Sequence, residues 1–417
     1  MLLNKQTAYK RKIFKHLYFS GSLSCAELSE LTEKSLPVTT RAINEMIQEG
    51  SVMETGFAIS TGGRRPQMFS LKPDQVYIVS VAMDQLITRI ALIDINNNVV
   101  GKVEKIELVL PYNLNALKQL TGHISDFLRK TEIDKSKIIG IGIGMPGFVD
   151  VKKGINHSFL KNGGENIVDH IGSLTGLPVL IDNDSSLIAL AEFRLGSARN
   201  RQNVMVINIG WGVGLGMILN GELFRGHNGF AGEFSHIPVF TNNKLCSCGK
   251  TGCLETETSL LVVVEKAVKS LQSGASTHLK DLSLDFPENA AKKIMDAALQ
   301  GDKLAVEILS EAAYNIGRGI AILIHLLNPE FIVLSGRGSV GGRLWTTPIQ
   351  QAINELCIPK IAENTELLIS SLGYKAELIG AAALVMEHYD TIEPVQEKES
   401  KIRFATPKGK PKTIFNN

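Results

Sequence analysis

The sequence predicts a mixed α/β protein: a small, mainly helical N-terminal unit joined to a body in which a strand-and-helix pattern runs twice. Three observations carry that prediction. Helical periods in the first fifty residues give way to two short strand-like runs separated by a glycine pair. From Val76 onward, three consecutive strand patterns followed by helices recur a second time from Val204. The 417 residues, 44% hydrophobic and 21% charged, suffice for two or three ordinary domains of a soluble protein.

Lys5 to Phe19 fit a helix with Ile13, Phe14, Leu17 and Tyr18 on one face. Ser24, with Glu27 three residues later, has the reciprocal capping-box spacing that opens a second helix. A third helix starts near Ser35, carries Pro37 in its first turn and stops at Gly50. Its apolar positions are Val38, Ala42, Ile43, Met46 and Ile47, which leaves Thr39, Thr40, Arg41, Asn44 and Gln48 outside. The runs Val52–Thr55 and Met68–Leu71 flank Gly62, Gly63, Arg64, Arg65 and Pro66. Three helices and a glycine-tipped hairpin read as a winged helix-turn-helix over residues 1–72. In that geometry Thr39, Thr40, Arg41 and Asn44 reach base edges in the major groove of operator DNA, and Arg64 and Arg65 reach phosphates or a narrow minor groove. The competing reading is a helical dimerisation module with solvated polar residues. Charge leans toward DNA: residues 1–72 hold ten Lys and Arg against six Glu, a balance of +4 in a chain of net +2.

The body begins with strand patterns at Val76–Met83, Arg89–Ile95 and Val99–Leu108. A helix from Asn115 to Arg129, a strand from Ile138 to Gly144 and a strand from Pro178 to Asp182 follow. The second round comprises Val204–Ile209, Val213–Leu219 after which Asn220-Gly221 makes a hairpin turn, a long helix from about Lys303 to Leu327, and strand Phe331–Leu334. Such duplication predicts two lobes with a cleft between them, spanning 75–195 with a returning helix at about 376–389, and 196–375. The tail 390–417 has no apolar period and is expected to be disordered.

Cysteine usage is informative. Cys246, Cys248 and Cys253 lie within eight residues, and His236 precedes them by ten. Three thiolates and one imidazole make the closed tetrahedral set that structural zinc prefers, with Gly249 and Gly252 letting the loop turn back. A disulfide pair or small core residues are the alternatives, and they suit a secreted scaffold. MLLNKQTAYKRK lacks the apolar segment of a signal peptide, and the longest apolar run, Ile320–Leu327, is too short to span a bilayer. A cytoplasmic protein without membrane contact is expected, with Cys25 and Cys357 as core residues.

The run from Ile207 to Glu255 contains INIGWGVGLG, GHNGFAGEFSH and CSCGKTGCLE, with His-x9-Cys-x-Cys-x4-Cys followed two residues later by Glu255. These motifs resemble the ROK family of sugar kinases and sugar-responsive repressors, and TGGRRP followed by Phe69 resembles the wing of its repressors. The resemblance implies an actin-like sugar-kinase fold. It implies that Gly147, Asn183, Asp184, Glu233, His236 and Glu255 bind a sugar or sugar phosphate, with Asp184 the general base in a kinase. Asp184 as a cap of the helix beginning at Ser185 is the structural alternative. A zinc-bound His236 would have its tautomer fixed, leaving its other N–H for a hydroxyl.

Kinases of this fold cradle phosphate with two glycine-rich hairpins. Where the first would read DxGGT, this chain reads Ala82-Met83-Asp84-Gln85-Leu86. The second keeps Gly210, Gly212 and Gly214, yet Trp211 stands where a small hydroxyl residue is usual, so the glycines read as turn residues. No ATP and no enzyme activity are therefore expected. The predicted function is a sugar-responsive repressor acting as a homodimer or homotetramer; the alternative is an ATP-dependent hexose kinase with an accessory DNA-binding domain.

Overall fold

The computed structural model describes residues 5–59, 65–160 and 166–392. Gly62, Gly63 and Arg64 of the expected wing, and the tail beyond 392, lie outside the described residues.

Helix α1 (Lys5–Ser20) buries Ile13, Phe14, Leu17 and Tyr18, the expected stripe. A three-residue strand, β1 (Ser22–Ser24), leads into α2 (Cys25–Thr32), which Ser24 and Glu27 close with a full capping box. Helix α3 (Leu36–Gln48) follows, then β2 (Val52–Phe57) and β3 (Gln67–Leu71). β1 pairs antiparallel with β3, Leu23 opposite Phe69, giving a small sheet of order β1-β3-β2. Strand β1 was not expected; three residues are too few to show a period.

The register of α3 corrects one expectation. Its buried face is Thr39, Ala42, Ile43 and Met46, while Val38 is 39% exposed. Thr39 is fully buried: its hydroxyl lies 3.2 Å from the Ser35 carbonyl, to which it donates, and 2.7 Å from the Tyr9 hydroxyl. A threonine can sit inside because its single polar atom finds partners there, so Thr39 cannot reach a base edge from this position. Thr40 is half-buried, and Arg41, Asn44 and Arg65 are exposed.

The first body sheet has the order β10-β7-β4-β5-β6. The meander β4 (Tyr77–Met83), β5 (Ile87–Asp94) and β6 (Val99–Glu107) is antiparallel. After α4 (Ala116–Lys130), β7 (Ile138–Met145) joins parallel to β4. A short ribbon of β8 (Val149–Asp150) and β9 (Ile155–Asn156), then α5 (Ile167–Thr175), lead to β10 (Val179–Asn183), parallel to β7. Helix α6 (Asp184–Leu195) crosses to the second round.

There the meander β11 (Val204–Ile209), β12 (Val213–Leu219) and β13 (Glu222–Phe224) is joined by β14 (Phe331–Ser335) and β15 (Glu366–Ile369), both parallel, in the order β15-β14-β11-β12-β13. The two sheets therefore share one topology, three antiparallel strands plus two parallel ones. Between the meander and β14 lie α7 (Glu255–Thr258), α8 (Leu260–Gln272), α9 (Pro287–Leu299) and α10 (Lys303–Leu327), the last with the expected boundaries and capped by Asp302. Helices α11 (Arg343–Leu356) and α12 (Pro359–Ala362) precede β15, and α13 (Ala376–Glu387) is the last helix of the described residues.

Helices α6 and α13 pack together between the sheets. The contact is tight enough to need glycine: a Cβ on Gly142 of β7 would lie 1.9 Å from the Ala381 carbonyl oxygen, one on Gly216 of β12 2.5 Å from that of Ser185, and one on Gly380 2.2 Å from that of Leu187. Among the described residues no helix is long and apolar enough to cross a membrane.

Candidate functional site

A cavity of about 640 Å³ opens between the two sheets. Gly147, Asn183, Asp184, Glu233, His236 and Glu255 all line it. β10 ends at Asn183, and this residue, rather than Asp184, caps α6: its Oδ1 accepts from the Ser185 and Ser186 N–H groups at 3.0 and 3.1 Å. Its Nδ2 donates to the Gly147 carbonyl at 3.2 Å, tying strand end to turn. Gly147 has φ +86°, and a Cβ there would lie 2.5 Å from the Ser158 side chain, so glycine is required. Asp184 becomes the first helical residue, its carboxylate accepting from the Ser185 N–H at 2.7 Å. Burial, and then the charges of Glu377 and Asp84, push its carboxyl up to about 7.

The second wall is the segment 232–255. A single 3-10 turn, Phe234–His236, sets Glu233 and His236 side by side, with Nε2 of the histidine 3.7 Å from the Glu233 carboxylate. Burial raises the Glu233 carboxyl above its ordinary range, against the pull of His236. Glu255 accepts from the Ser235 hydroxyl at 3.1 Å.

Behind this wall, one ligand atom each from His236, Cys246, Cys248 and Cys253 lies within 4.8 Å of all the others. His236 faces the cluster with Nδ1, 3.5 Å from the Cys246 sulfur, so its Nε2 stays on the cavity side. The Cys248 and Cys253 sulfurs are 3.6 Å apart, too far for a disulfide at about 2.05 Å and close to the spacing of two thiolates on a metal with bonds of about 2.3 Å. The isolated bridges Pro238–Cys253 and Leu245–Thr251 hold the loop, and Gly252, at φ +74°, lies against the Phe240 carbonyl. The donor set fits a metal ion such as zinc, closed by four protein ligands.

The far end of the cavity holds residues the sequence did not single out as a group. The Asp84 carboxylate accepts from the Leu86 and Ile87 N–H groups, both at 2.8 Å, and pairs with Arg337, which follows β14. The Arg337 guanidinium lies 4.4 Å from the Trp211 ring centre and 4.8 Å from that of Tyr374, and donates to the Tyr374 hydroxyl at 2.8 Å. Arg89 stacks on Tyr374 at 3.5 Å and pairs with Glu377 at the start of α13. In the sequence Arg337 stands only as the arginine of an SGRG run, 335–338, directly after the strand Phe331–Leu334. Gly214 also departs from its expected turn role: it lies inside β12, where a Cβ would come 1.9 Å from the Ser185 hydroxyl of α6. Gly210 does turn the chain, its N–H donating to the Gly212 carbonyl at 2.9 Å.

Duplicated sheets, the polar cleft between them and the small winged unit at the N-terminus define a two-lobed, actin-like protein of the sugar-kinase type. The chain matches the ROK family over residues 87–388 and belongs to that family. It is 35% identical over 289 residues to a glucokinase of Halalkalibacterium halodurans, covering 68% of this chain and 84% of that one. It is 28% identical over 386 residues to the xylose repressor of Caldicellulosiruptor bescii, covering 90% of this chain and 95% of the repressor. Among solved structures, a ROK family transcriptional regulator homologous to the E. coli MLC protein superposes with a TM-score of 0.74 at 27% identity, over 93% of this chain and 98% of its own.

Proposed function

We propose that the protein is a sugar-responsive, DNA-binding transcriptional regulator, a repressor, that performs no phosphoryl transfer. The observation that carries this reading is the coexistence, in one chain, of a winged helical unit with a sugar-type cleft whose 82–86 hairpin is held by Arg337. Full-length similarity to repressors supports it.

Sugar would lie against Gly147, Asn183, Asp184, Glu233, His236 and Glu255. Acceptor carboxylates and one histidine N–H suit a ring of hydroxyls. Zinc held by His236, Cys246, Cys248 and Cys253 would be structural: it fixes the imidazole so that Nε2–H points at the sugar, and supplies no chemistry. Thr40, Arg41, Asn44, Arg64 and Arg65 would contact operator DNA, two copies of the chain reading two half-sites. A sugar that favours a lobe arrangement incompatible with the operator weakens DNA binding, and DNA weakens sugar binding by the same factor. These roles sit in a winged unit of about 1–72, lobes of about 75–195 and 196–375, and a cytoplasmic setting.

One observation favours a hexose kinase: an Asp184 carboxyl at about 7 is tuned as a general base would be. Against it, the chain has no DxGGT at 82–86, and Arg337, paired with Asp84 of that hairpin, lies 4.4 Å from the Trp211 ring centre in the same end of the cavity. Thermal unfolding against a sugar panel, each with and without magnesium-ATP, separates the two. Stabilisation by one sugar and none by ATP is expected; stabilisation by ATP with sugar phosphate formed would overturn the regulator reading.

A further inference from the structure

We propose that the effector is an uncharged sugar, and that the cleft rejects a phosphate ester on the hydroxyl facing Asp184. The inference rests on the sugar site proposed above and names its ligand class.

The end of the cavity beside Asp184 is lined by three carboxylates, Asp84, Asp184 and Glu377, and one guanidinium, Arg337, while a second guanidinium, Arg89, holds Glu377 from behind the lining. Neither cation is available to a newcomer. Arg89 pairs with Glu377, donates to the Tyr374 carbonyl at 3.2 Å and stacks on the Tyr374 ring. Arg337 pairs with Asp84 and is sandwiched between the Trp211 and Tyr374 rings. Its Nη1 lies 3.4 Å from the Glu288 carboxylate, so even its second nitrogen faces an acid. A phosphate ester would bring one and a half to two negative charges into this set. It would meet an excess of carboxylate or have to break a buried ion pair, and either is costly in a water-poor site.

The lining carboxylates point the same way. Asp184, Glu233 and Glu255 line the cavity with groups that, when ionised, only accept hydrogen bonds, so the lining calls for a ligand that donates. A hydroxyl does so; a phosphate dianion only accepts. Burial first, and then neighbouring carboxylates, raises the Asp184 and Glu377 carboxyls, and a further anion placed here would meet the same two penalties.

Titration calorimetry on the full chain at pH 8 tests this with glucose, mannose and N-acetylglucosamine against their 6-phosphates. We expect a free sugar to bind and its 6-phosphate to bind at least about a hundredfold more weakly. Glu377→Gln removes one acid and loosens the hold on Arg89, and Asp84→Asn does the same for Arg337. Either variant that folds should narrow the ratio of the two dissociation constants by about tenfold or more. A 6-phosphate that binds as tightly as its parent sugar overturns the inference and leaves the sugar site standing, as does a ratio unchanged in both variants. No binding by any sugar or sugar phosphate overturns the site and the inference together.

Discussion

Asp184→Asn should make the protein more stable at alkaline pH while removing its sugar response. In the folded chain the carboxyl titrates at about 7, against 3.8 in its ordinary environment, because it is buried beside two other acids. A folded pKa above the unfolded one means the folded state binds the proton more tightly. The wild type therefore carries no penalty below about pH 4, a growing one as pH rises toward 7, and a constant one beyond. Three units correspond to about 4 kcal/mol at saturation. Asparagine keeps the shape and can still accept the Ser185 N–H bond but never ionises, so its advantage should be only about 1 kcal/mol at pH 4.5 and reach about 4 kcal/mol at pH 8.5. The α6 N-terminus favours the charge by about 0.3–1 kcal/mol, which trims the gain without reversing it.

Urea unfolding followed by tryptophan fluorescence is suited to the measurement, since both tryptophans, Trp211 and Trp345, lie in one core cluster of the second lobe. A stability difference between wild type and Asp184→Asn that does not change between pH 4.5 and 8.5 would refute the reasoning. A residue that costs stability in its working ionisation state is what a ligand site, rather than a structural cap, would retain.

Metal content should be one ion per chain and fall to zero in Cys253→Ser, with a lower melting temperature and a lost sugar response, because the Cys253 sulfur is fully buried in the loop behind His236. Full sugar response in a metal-free Cys248→Ser protein would refute the linkage between metal and sugar site. Arg41→Ala should weaken DNA binding by about tenfold without lowering the melting temperature, as its side chain is 75% exposed. Thr39→Val should do the reverse, costing about 1–2 kcal/mol of stability through the lost hydrogen bonds to the Tyr9 hydroxyl and the Ser35 carbonyl, measured by thermal melts beside fluorescence anisotropy on operator DNA.

The legible features were those whose physics is local. Helix α10 could be read to the residue because its apolar stripe runs for 25 residues from the Asp302 cap. The metal set was legible because its ligands lie within one short loop, and the duplication because each sheet begins with an uninterrupted meander. Illegible features depend on distance in the chain. Asp84 and Arg337 meet across 253 residues, and Arg89 and Glu377 across 288, so no spacing announces them. Thr39 was misread for a related reason: its inward face is decided by Tyr9 on another helix.

The path from cleft to DNA-binding unit is short, and one helix supplies most of it. α13 begins with Glu377, in the charged end of the cavity, and ends at Glu387, whose carbonyl accepts from Lys15 of α1 at 2.6 Å. Just beyond it, the Tyr389 ring packs 5.3 Å from Phe14 and beneath Arg11 at 5.0 Å, and Arg11 donates to the Ile392 carbonyl at 2.7 Å. The α1 core is continuous with Leu378 and Val385 of α13, so a shift of this helix must move the first helix of the winged unit or break that core. Tyr389→Ala removes the contact without touching either ligand site. Sugar affinity in the absence of DNA should stay the same, while the factor by which sugar changes operator affinity falls by about twofold to thirtyfold, in line with couplings of about 0.5–2 kcal/mol for residues between two sites. Because linkage is reciprocal, the same reduction must appear in the factor by which operator DNA changes sugar affinity. An unchanged factor in both titrations would show that the two sites communicate by another route, through the second lobe or the subunit interface.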